Sequence, residues 1–438
     1  MARRSDPVQK RNSSRREFIG RTAAAVMAAP YIAAPWIASP AALGLAGAEA
    51  PSNRIAVGCI GSGRRGQHDM ANLMKFGAEI VALSDVRPDM REEAKALTKV
   101  PESSMYYDFR ELLERKDIDA VVIATPDHWH VLNGIAAIKA GKDVYLEKPL
   151  GATIQEGQSM LKAVKGSGRV FMHGTEQRGM PDVRKMCELV RNGRIGKLHT
   201  ITVACPGGEE IPPQPEMPIP RGFDYNRWIG PSPFKPYTEK RCATPYFFFI
   251  SDYVPGGFVC SWGVHHLDIA QWANGTDGTC PVEIEGRGVF PKEGLGDTAL
   301  TWRIEYKYSN GVKMIYTDAS QNPEGVRFEG TEGWIFKAYG QPAQARDPAI
   351  LTSQIGPNEI HLYETDSDDH CFLECVKSRK ETCSPIEVAH RSTTIGYLGD
   401  IAIRLGRKLK WDPENERFVG DDDANKMLSR EMRAPWHL

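Results

Sequence analysis

A run of closely spaced glycines, Gly61-Ser62-Gly63-Arg64-Arg65-Gly66, follows the apolar stretch at residues 54–60. Glycines at this spacing permit a tight turn and let backbone N–H groups approach a pyrophosphate. A helix opening on the turn adds partial positive charge. The next apolar run ends in Asp85, 24 residues beyond Gly61. That is near the ~20 expected of a carboxylate that takes a ribose 2′-hydroxyl. A carboxylate there repels a 2′-phosphate, so the spacing favours NAD. Arg87 lies two residues on and is the feature that would hold that phosphate, which leaves NADP open. Three further polar clusters follow: Thr125-Pro126-Asp127-His128-Trp129-His130, Glu147-Lys148-Pro149 and Gly174-Thr175-Glu176-Gln177-Arg178.

The elements that must position these groups alternate in type. Apolar runs at 79–84, 119–125, 143–146 and 169–172 read as strands, and 67–76, 129–140 and 154–165 read as helices. Strict alternation predicts a parallel, doubly wound Rossmann sheet, with ligands beyond the carboxyl ends of the strands. All three polar clusters fall at such ends. Asp127, just ahead of a helix, is expected to serve as its N-cap. His128, Trp129 and His130 are expected to flank the cofactor, together with Gly61, Gly63, Arg64, Gly66, Asp85, Thr125, Pro126, Glu147 and Lys148.

The glycine fingerprint, then ATPxHxH at 124–130, EKP at 147–149 and GGxxxxxGxHHxD at 256–268 together resemble the Gfo/Idh/MocA oxidoreductases, and the likeness spans nearly all of the chain beyond residue 50. The resemblance implies hydride transfer between a carbinol and nicotinamide. That reaction needs an oriented C–H and a group that takes the hydroxyl proton. It assigns Lys148 to orientation and proton handling, and His265 to acid–base work. The family pattern is D-x-x-x-H, but here the aspartate position is Ser261. Asp252 or Asp268 is then a candidate replacement; otherwise Ser261 suits another substrate, or activity is weakened. His266 and Asp268 are read as structural. Gln177, Arg178, Tyr253 and Trp262 are candidate sugar contacts, since sugars stack on aromatic faces and bond to amides and guanidinium groups.

Residues 53–178 are thus assigned to nucleotide binding. Residues 179–438 are assigned to an α+β substrate domain with C-terminal helices. Segments at 282–286, 300–306, 312–316 and 333–337 read as strands of a mostly antiparallel open sheet. The resemblance implies that this sheet closes the active site and builds a homodimer or homotetramer. The long loop at 206–255, rich in proline and aromatics, is expected to pack or wrap a neighbour. Helices are expected at 370–377 and 390–404, with a polar tail behind them.

Ser14-Arg15-Arg16-Glu17-Phe18-Ile19, an alanine-rich apolar stretch and Ala46-Gly47-Ala48 make residues 1–48 a twin-arginine export signal. It implies the Tat translocase as a partner and a periplasmic or other extracytoplasmic location. Export with a nucleotide fingerprint raises a supply problem, since free NAD is scarce outside the cytoplasm. A bound, internally recycled NAD answers it. The alternatives are redox-neutral isomerisation or cleavage of a glycoside, and a non-catalytic carbohydrate-binding protein that keeps the fold.

Composition excludes other classes. The chain of 438 residues carries 55 basic and 56 acidic residues. Such a balance gives no basic excess for nucleic acid. No metal is expected: His265 and His266 are adjacent, no HExxH exists, and the 366–370 acidic cluster lacks the EF-hand glycine. The nine cysteines include no CxxC pair and are expected as buried free thiols, with one exported disulfide left open.

Overall fold

The computed structural model describes residues 54–438, and the export-signal reading lies outside them. Six strands form the first sheet: β1 (Ala56–Ile60), β2 (Glu79–Ser84), β3 (Met105–Tyr106), β4 (Ala120–Ile123), β5 (Asp143–Glu147) and β6 (Phe171–Gly174). Their order is β3-β2-β1-β4-β5-β6, and every neighbouring pair is parallel. The connecting helices are α1 (Arg64–Lys75), α2 (Pro88–Thr98), α3 (Phe109–Glu114), α4 (Asp127–Lys139) and α5 (Ile154–Lys165). This is the doubly wound Rossmann sheet the alternation predicts. The strand centres are apolar because both faces are covered, with polar residues at strand ends such as Glu79, Asp143 and Glu147. The strand order reverses between β1 and β4, the switch point where such sheets bind ligands.

Helix α6 (Pro181–Arg191) leads into β7 (Leu198–Cys205), the short α7 (Tyr225–Ile229) and α8 (Val264–Asn274). Strands β8 (Glu283–Val289), β9 (Thr301–Lys307), β10 (Lys313–Asp318), β11 (Gly325–Gly330), β12 (Trp334–Lys337) and β13 (Gln344–Ala345) follow. The chain ends through α9 (Pro348–Thr352), α10 (Asp368–Ser378), α11 (Ile386–Leu405), β14 (Leu409–Asp412), β15 (Arg417–Phe418) and α12 (Asp422–Lys426). The second sheet has nine strands in the order β13-β12-β11-β7-β10-β9-β8-β14-β15. Only β7 and β10 pair in parallel, so it is mixed and mostly antiparallel. In β9 the side chains of Trp302, Ile304 and Tyr306 alternate inward, so one face is buried under α8 and α11 and the other carries charge.

Three local expectations are corrected. The tail beyond residue 405 is not simply polar, because β14 and β15 extend the second sheet. Strand β11 has no counterpart in the sequence reading. Asp127 is not an N-cap: Pro126 holds that position and Asp127 is the first helical residue, with no side-chain cap bond.

Helix α10 does not stay with the second sheet, whereas α11 covers it. Phe372, Leu373 and Cys375 of α10, with Cys383, join Val57, Met70, Leu73, Tyr145 and Met172 in one core. The Phe372 ring meets Tyr145 edge-on at 5.6 Å. All nine cysteines are buried free thiols. Because α10 completes the core under β1 and β5, Phe372→Ala is expected to destabilise the nucleotide-binding half by about 3–5 kcal/mol. Denaturant unfolding followed by a nucleotide-domain probe would read this, and an unchanged midpoint would contradict the packing.

Candidate active site

The glycine turn fits a dinucleotide. Gly61 has φ +89°, and a Cβ there would meet Ala124 and Thr125 backbone at 2.7 Å. A Cβ on Gly66 would lie 2.1 Å from Gly61 O. Both glycines are therefore needed for the turn and for close packing of α1 on it. Gly63 differs: nothing lies within 4 Å of its built Cβ. That open space faces the cleft. Helix α1 begins there without a side-chain cap or an acid in its first turn, so its N–H groups stay free for phosphate oxygens.

Asp85 holds the turn from the other side. Its carboxylate accepts from Ser62 N at 2.7 Å and from Arg87 N at 2.9 Å. Burial raises its pKa, and those two backbone donors oppose the rise. Arg87, the alternative phosphate ligand, is paired with Asp89. The cleft therefore presents a carboxylate to the ribose, which suits NAD.

The cleft encloses about 500 Å³. Gly61, Gly63, Arg64, Asp85, Thr125, Pro126, His130, Glu147 and Lys148 line it. Its far wall comes from the 206–255 loop, through Arg227, Trp228, Thr244, Phe247 and Phe248, and from Trp436 near the chain end. Trp436 packs edge-on against Trp129 at 4.7 Å. Arg433 fixes the tail by donating to Gly230 O and to Asn226 O, each at 2.9 Å. The place of Trp436 is not visible in the sequence, since its contact with Trp129 joins residues some 300 positions apart.

Lys148 and His265 meet around Trp262. The Lys148 Nζ lies 6.0 Å from the Trp262 ring and donates to Ser261 O at 3.0 Å. The Lys148–Pro149 peptide is cis. Burial lowers the lysine pKa, and the carboxylates of Glu147 and Asp127 oppose that fall. The His265 ring lies 5.7 Å from Trp262. Its Nδ1–H donates to Thr175 O at 2.9 Å. A carbonyl only accepts, so this bond fixes the tautomer and leaves the lone pair on Nε2. Burial, then the Lys148 charge, hold the His265 pKa well below 6.5, so the ring is neutral near pH 7.

Other sequence candidates fall elsewhere. His128 does not line the cleft; its Nε2 meets Trp228 O at 2.9 Å, and burial pushes its pKa to about 3. His130 lines the cleft, but its ring lies between Pro149 O and Thr125 O, at 2.6 and 2.7 Å. Burial pushes its pKa down to about 4 against the pull of the two carbonyls, and the neutral ring donates to one of them and braces the loop after β5. Arg178 is not free for a sugar: Asp268 takes its Nε and Nη2 at 2.9 Å, and Asp277 takes Nη2 at 2.7 Å. Tyr253 is fully buried against Trp228 and His128. Gln177 is buried away from the cleft lining.

The proposed replacements for the missing carboxylate also fail. Asp268 is saturated by Arg178, Thr175 and Ser392. Asp252 lies outside the cleft lining, and its neighbouring cations are Lys235, Arg241 and Arg430. The carboxylate that does reach Ser261 is Asp127, which the sequence reading assigns to capping. It lines the cleft and is 3% exposed. Burial pushes its pKa up to about 7, against the pull of Lys148. The Ser261 hydroxyl faces it, outside hydrogen-bond geometry.

Arg65 is a second residue that sequence reasoning missed. It pairs with Asp69 and Glu147, each at 2.9 Å, and with Glu176. Glu176 in turn accepts from Tyr339 OH at 2.7 Å.

Residues 55–175 match a family model described as an oxidoreductase family, NAD-binding Rossmann fold. Residues 183–438 match its companion, the oxidoreductase family C-terminal alpha/beta domain. A myo-inositol 2-dehydrogenase of Thermotoga maritima is 27% identical over 375 residues, covering 81% of this chain and 98% of that one. A glycosyl hydrolase family 109 protein of Stenotrophomonas maltophilia is 32% identical over 159 residues, 34% of this chain and 35% of that one. A levoglucosan dehydrogenase solved with NADH and levoglucosan shares the fold, with a TM-score of 0.61 at 18% identity over 82% of this chain and 99% of that one. The nucleotide half and the mixed-sheet half are matched separately and in order, and the chain belongs to the Gfo/Idh/MocA family of NAD-binding oxidoreductases.

Proposed function

We propose that this enzyme oxidises and reduces a carbinol of a sugar, polyol or glycoside, using NAD that enters the export pathway already bound and is regenerated in place. The observation that carries the reading is Lys148 on the wall of a cleft built for NAD, with a neutral His265 behind the cleft lining on the other side of Trp262. Bound nicotinamide supplies the hydride acceptor. Lys148 orients the reacting hydroxyl, and the His265 Nε2 lone pair accepts its proton. The twin arginines at 15–16 support export, and the aromatic wall with Trp436 supports retention of the nucleotide. The relatives named for inositol and levoglucosan support the substrate class.

A second reading is favoured by one further observation. Asp127 is a buried carboxyl poised near pH 7 beside Lys148. Oxidation at one carbon, loss of a neighbouring proton and leaving group, addition of water and re-reduction give a redox-neutral glycoside cleavage. The glycosyl hydrolase family 109 relative supports this route.

Three outcomes are expected. Mature protein recovered from its export compartment and denatured should release close to one NAD per chain. An empty protein that takes up and releases free NAD at each turnover would remove the recycling. Lys148→Ala should lower turnover on a panel of inositols, hexoses and glycosides by about 10²–10⁴-fold while NAD content holds. Full turnover by that variant would remove the assignment of Lys148. Third, His265 is neutral well below its ordinary value of 6.5. In an Asp127→Asn chain, which lacks the carboxyl that burial pushes up to about 7, the kcat/KM profile should therefore show no acid limb at 6.5, and a limb there would assign the base elsewhere.

A further inference from the structure

We propose that residues 428–436 form a strap that carries the Trp436 indole onto the adenosine end of the cleft, where it covers the adenine of bound NAD and sets how fast the nucleotide leaves. The inference rests on the bound-NAD reading above.

The strap is tied down along its length. Leu428 O accepts from Gln155 N, in α5, at 3.0 Å. Arg430 donates to Asp252 O at 2.9 Å. Arg433 then commits its donors to residues 226–231. Its backbone N–H donates to Pro231 O at 2.8 Å. Its guanidinium donates to Gly230 O at 2.9 Å, to Asn226 O at 2.9 Å and to Asn226 Oδ1 at 2.7 Å. Hydrogen bonds from a charged donor are the strong ones, and all of these are lost when the strap detaches. A short segment thus joins α5 of the nucleotide-binding half to the 206–255 loop. A last bond, from Trp436 N to Arg433 O at 3.1 Å, turns the chain back on itself. It leaves the indole half-buried on the cleft wall, with His437 and Leu438 exposed beyond it.

The neighbours of Trp436 fix which end of the cleft it covers. Its ring meets Trp129 edge-on at 4.7 Å, and Trp129 meets Phe109 edge-on at 5.8 Å. The Arg110 guanidinium lies 5.8 Å from the Trp436 ring. Phe109 and Arg110 open α3, just after β3, and Tyr107, Asp108 and Phe109 line the cleft there. Strand β3 lies beside β2, whose carboxyl end carries the ribose carboxylate, Asp85. Lys148 follows β5, on the other side of the switch point. A dinucleotide with its reacting ring at Lys148 therefore carries its adenine toward Trp436. Trp228, Phe247 and Phe248 of the loop line the same cleft. A purine presents flat π faces, and aromatic side chains hold such bases by stacking. The strap and the loop together roof the end of the cleft that the parallel sheet leaves open.

The test is release of NAD from the full mature chain, loaded with adenine-tritiated NAD and chased with excess unlabelled NAD. Trp436→Ala should speed release by about 5- to 150-fold, the factor that loss of one base–aromatic stack corresponds to. Trp436→Phe, which keeps a π face, should recover part of the native rate. Arg433→Gln keeps the indole and loosens the strap, so it should also speed release, and it carries the comparison if Trp436→Ala does not fold. Two fragments of the cofactor locate the effect. ADP-ribose, which keeps the adenosine, should bind more weakly to Trp436→Ala by a similar factor. Nicotinamide mononucleotide, which lacks it, should bind as it does to the native chain. Release at the native rate from both the Trp436→Ala and Arg433→Gln chains would overturn the strap and leave bound NAD standing. Equal weakening of both fragments would overturn the adenosine assignment. Native protein recovered empty and exchanging NAD at each turnover, with ADP-ribose binding still dependent on Trp436, would instead overturn the bound-NAD reading alone.

Discussion

Arg65 governs the geometry of the cleft because three carboxylates from three separate segments converge on it. Asp69 lies one turn further along α1, Glu147 closes β5, and Glu176 follows β6. Asp69 and Glu147 are buried, and burial raises both pKa values. Each would be expensive to ionise without a cation. Arg65 sits inside the glycine fingerprint itself, so the turn shaped for phosphate also fixes the loop that carries Lys148. Removing this guanidinium would leave several carboxylates facing one another, and the strand ends would have no shared anchor.

A second anchor comes from the C-terminal helices. Glu176 adopts φ +64°, a left-handed conformation that is costly for a residue with a side chain. Its N–H donates to the Asp368 carboxylate at 2.7 Å. Asp368 opens α10, whose apolar face completes the core beneath the first sheet. Packing of a distal helix thus holds the carboxylate that holds Arg65. The Thr175 carbonyl that sets the His265 tautomer is the residue just before Glu176. Fold stability and site geometry share this short stretch of backbone.

How far the sequence could be read follows from where the information lies. Most of the parallel half is legible because its longer strands are short apolar runs, whereas the two-residue β3 and the helices α2 and α3 that flank it have no counterpart in the sequence reading. Strand β11 is not legible either, since Gly325-Val326-Arg327-Phe328-Glu329-Gly330 is brief, flanked by glycine, and pairs with β7 more than 120 residues earlier. Arg178 reads as a ligand-binding arginine until Asp268 and Asp277 are seen to occupy it. Asp127 was misassigned for a local reason. The helix begins one residue sooner than a capping aspartate requires, which turns the side chain from the backbone toward the cleft.

Desolvation then ties the chemistry of the inner cleft together. Burial lowers the pKa of both Lys148 and His265, and it raises that of Asp127. All three shifts favour neutral forms, so the site stores little net charge of its own. Burial, and after it the Lys148 charge, keeps His265 unprotonated. Proton acceptance by Nε2 therefore becomes easier as Lys148 gives up its own proton.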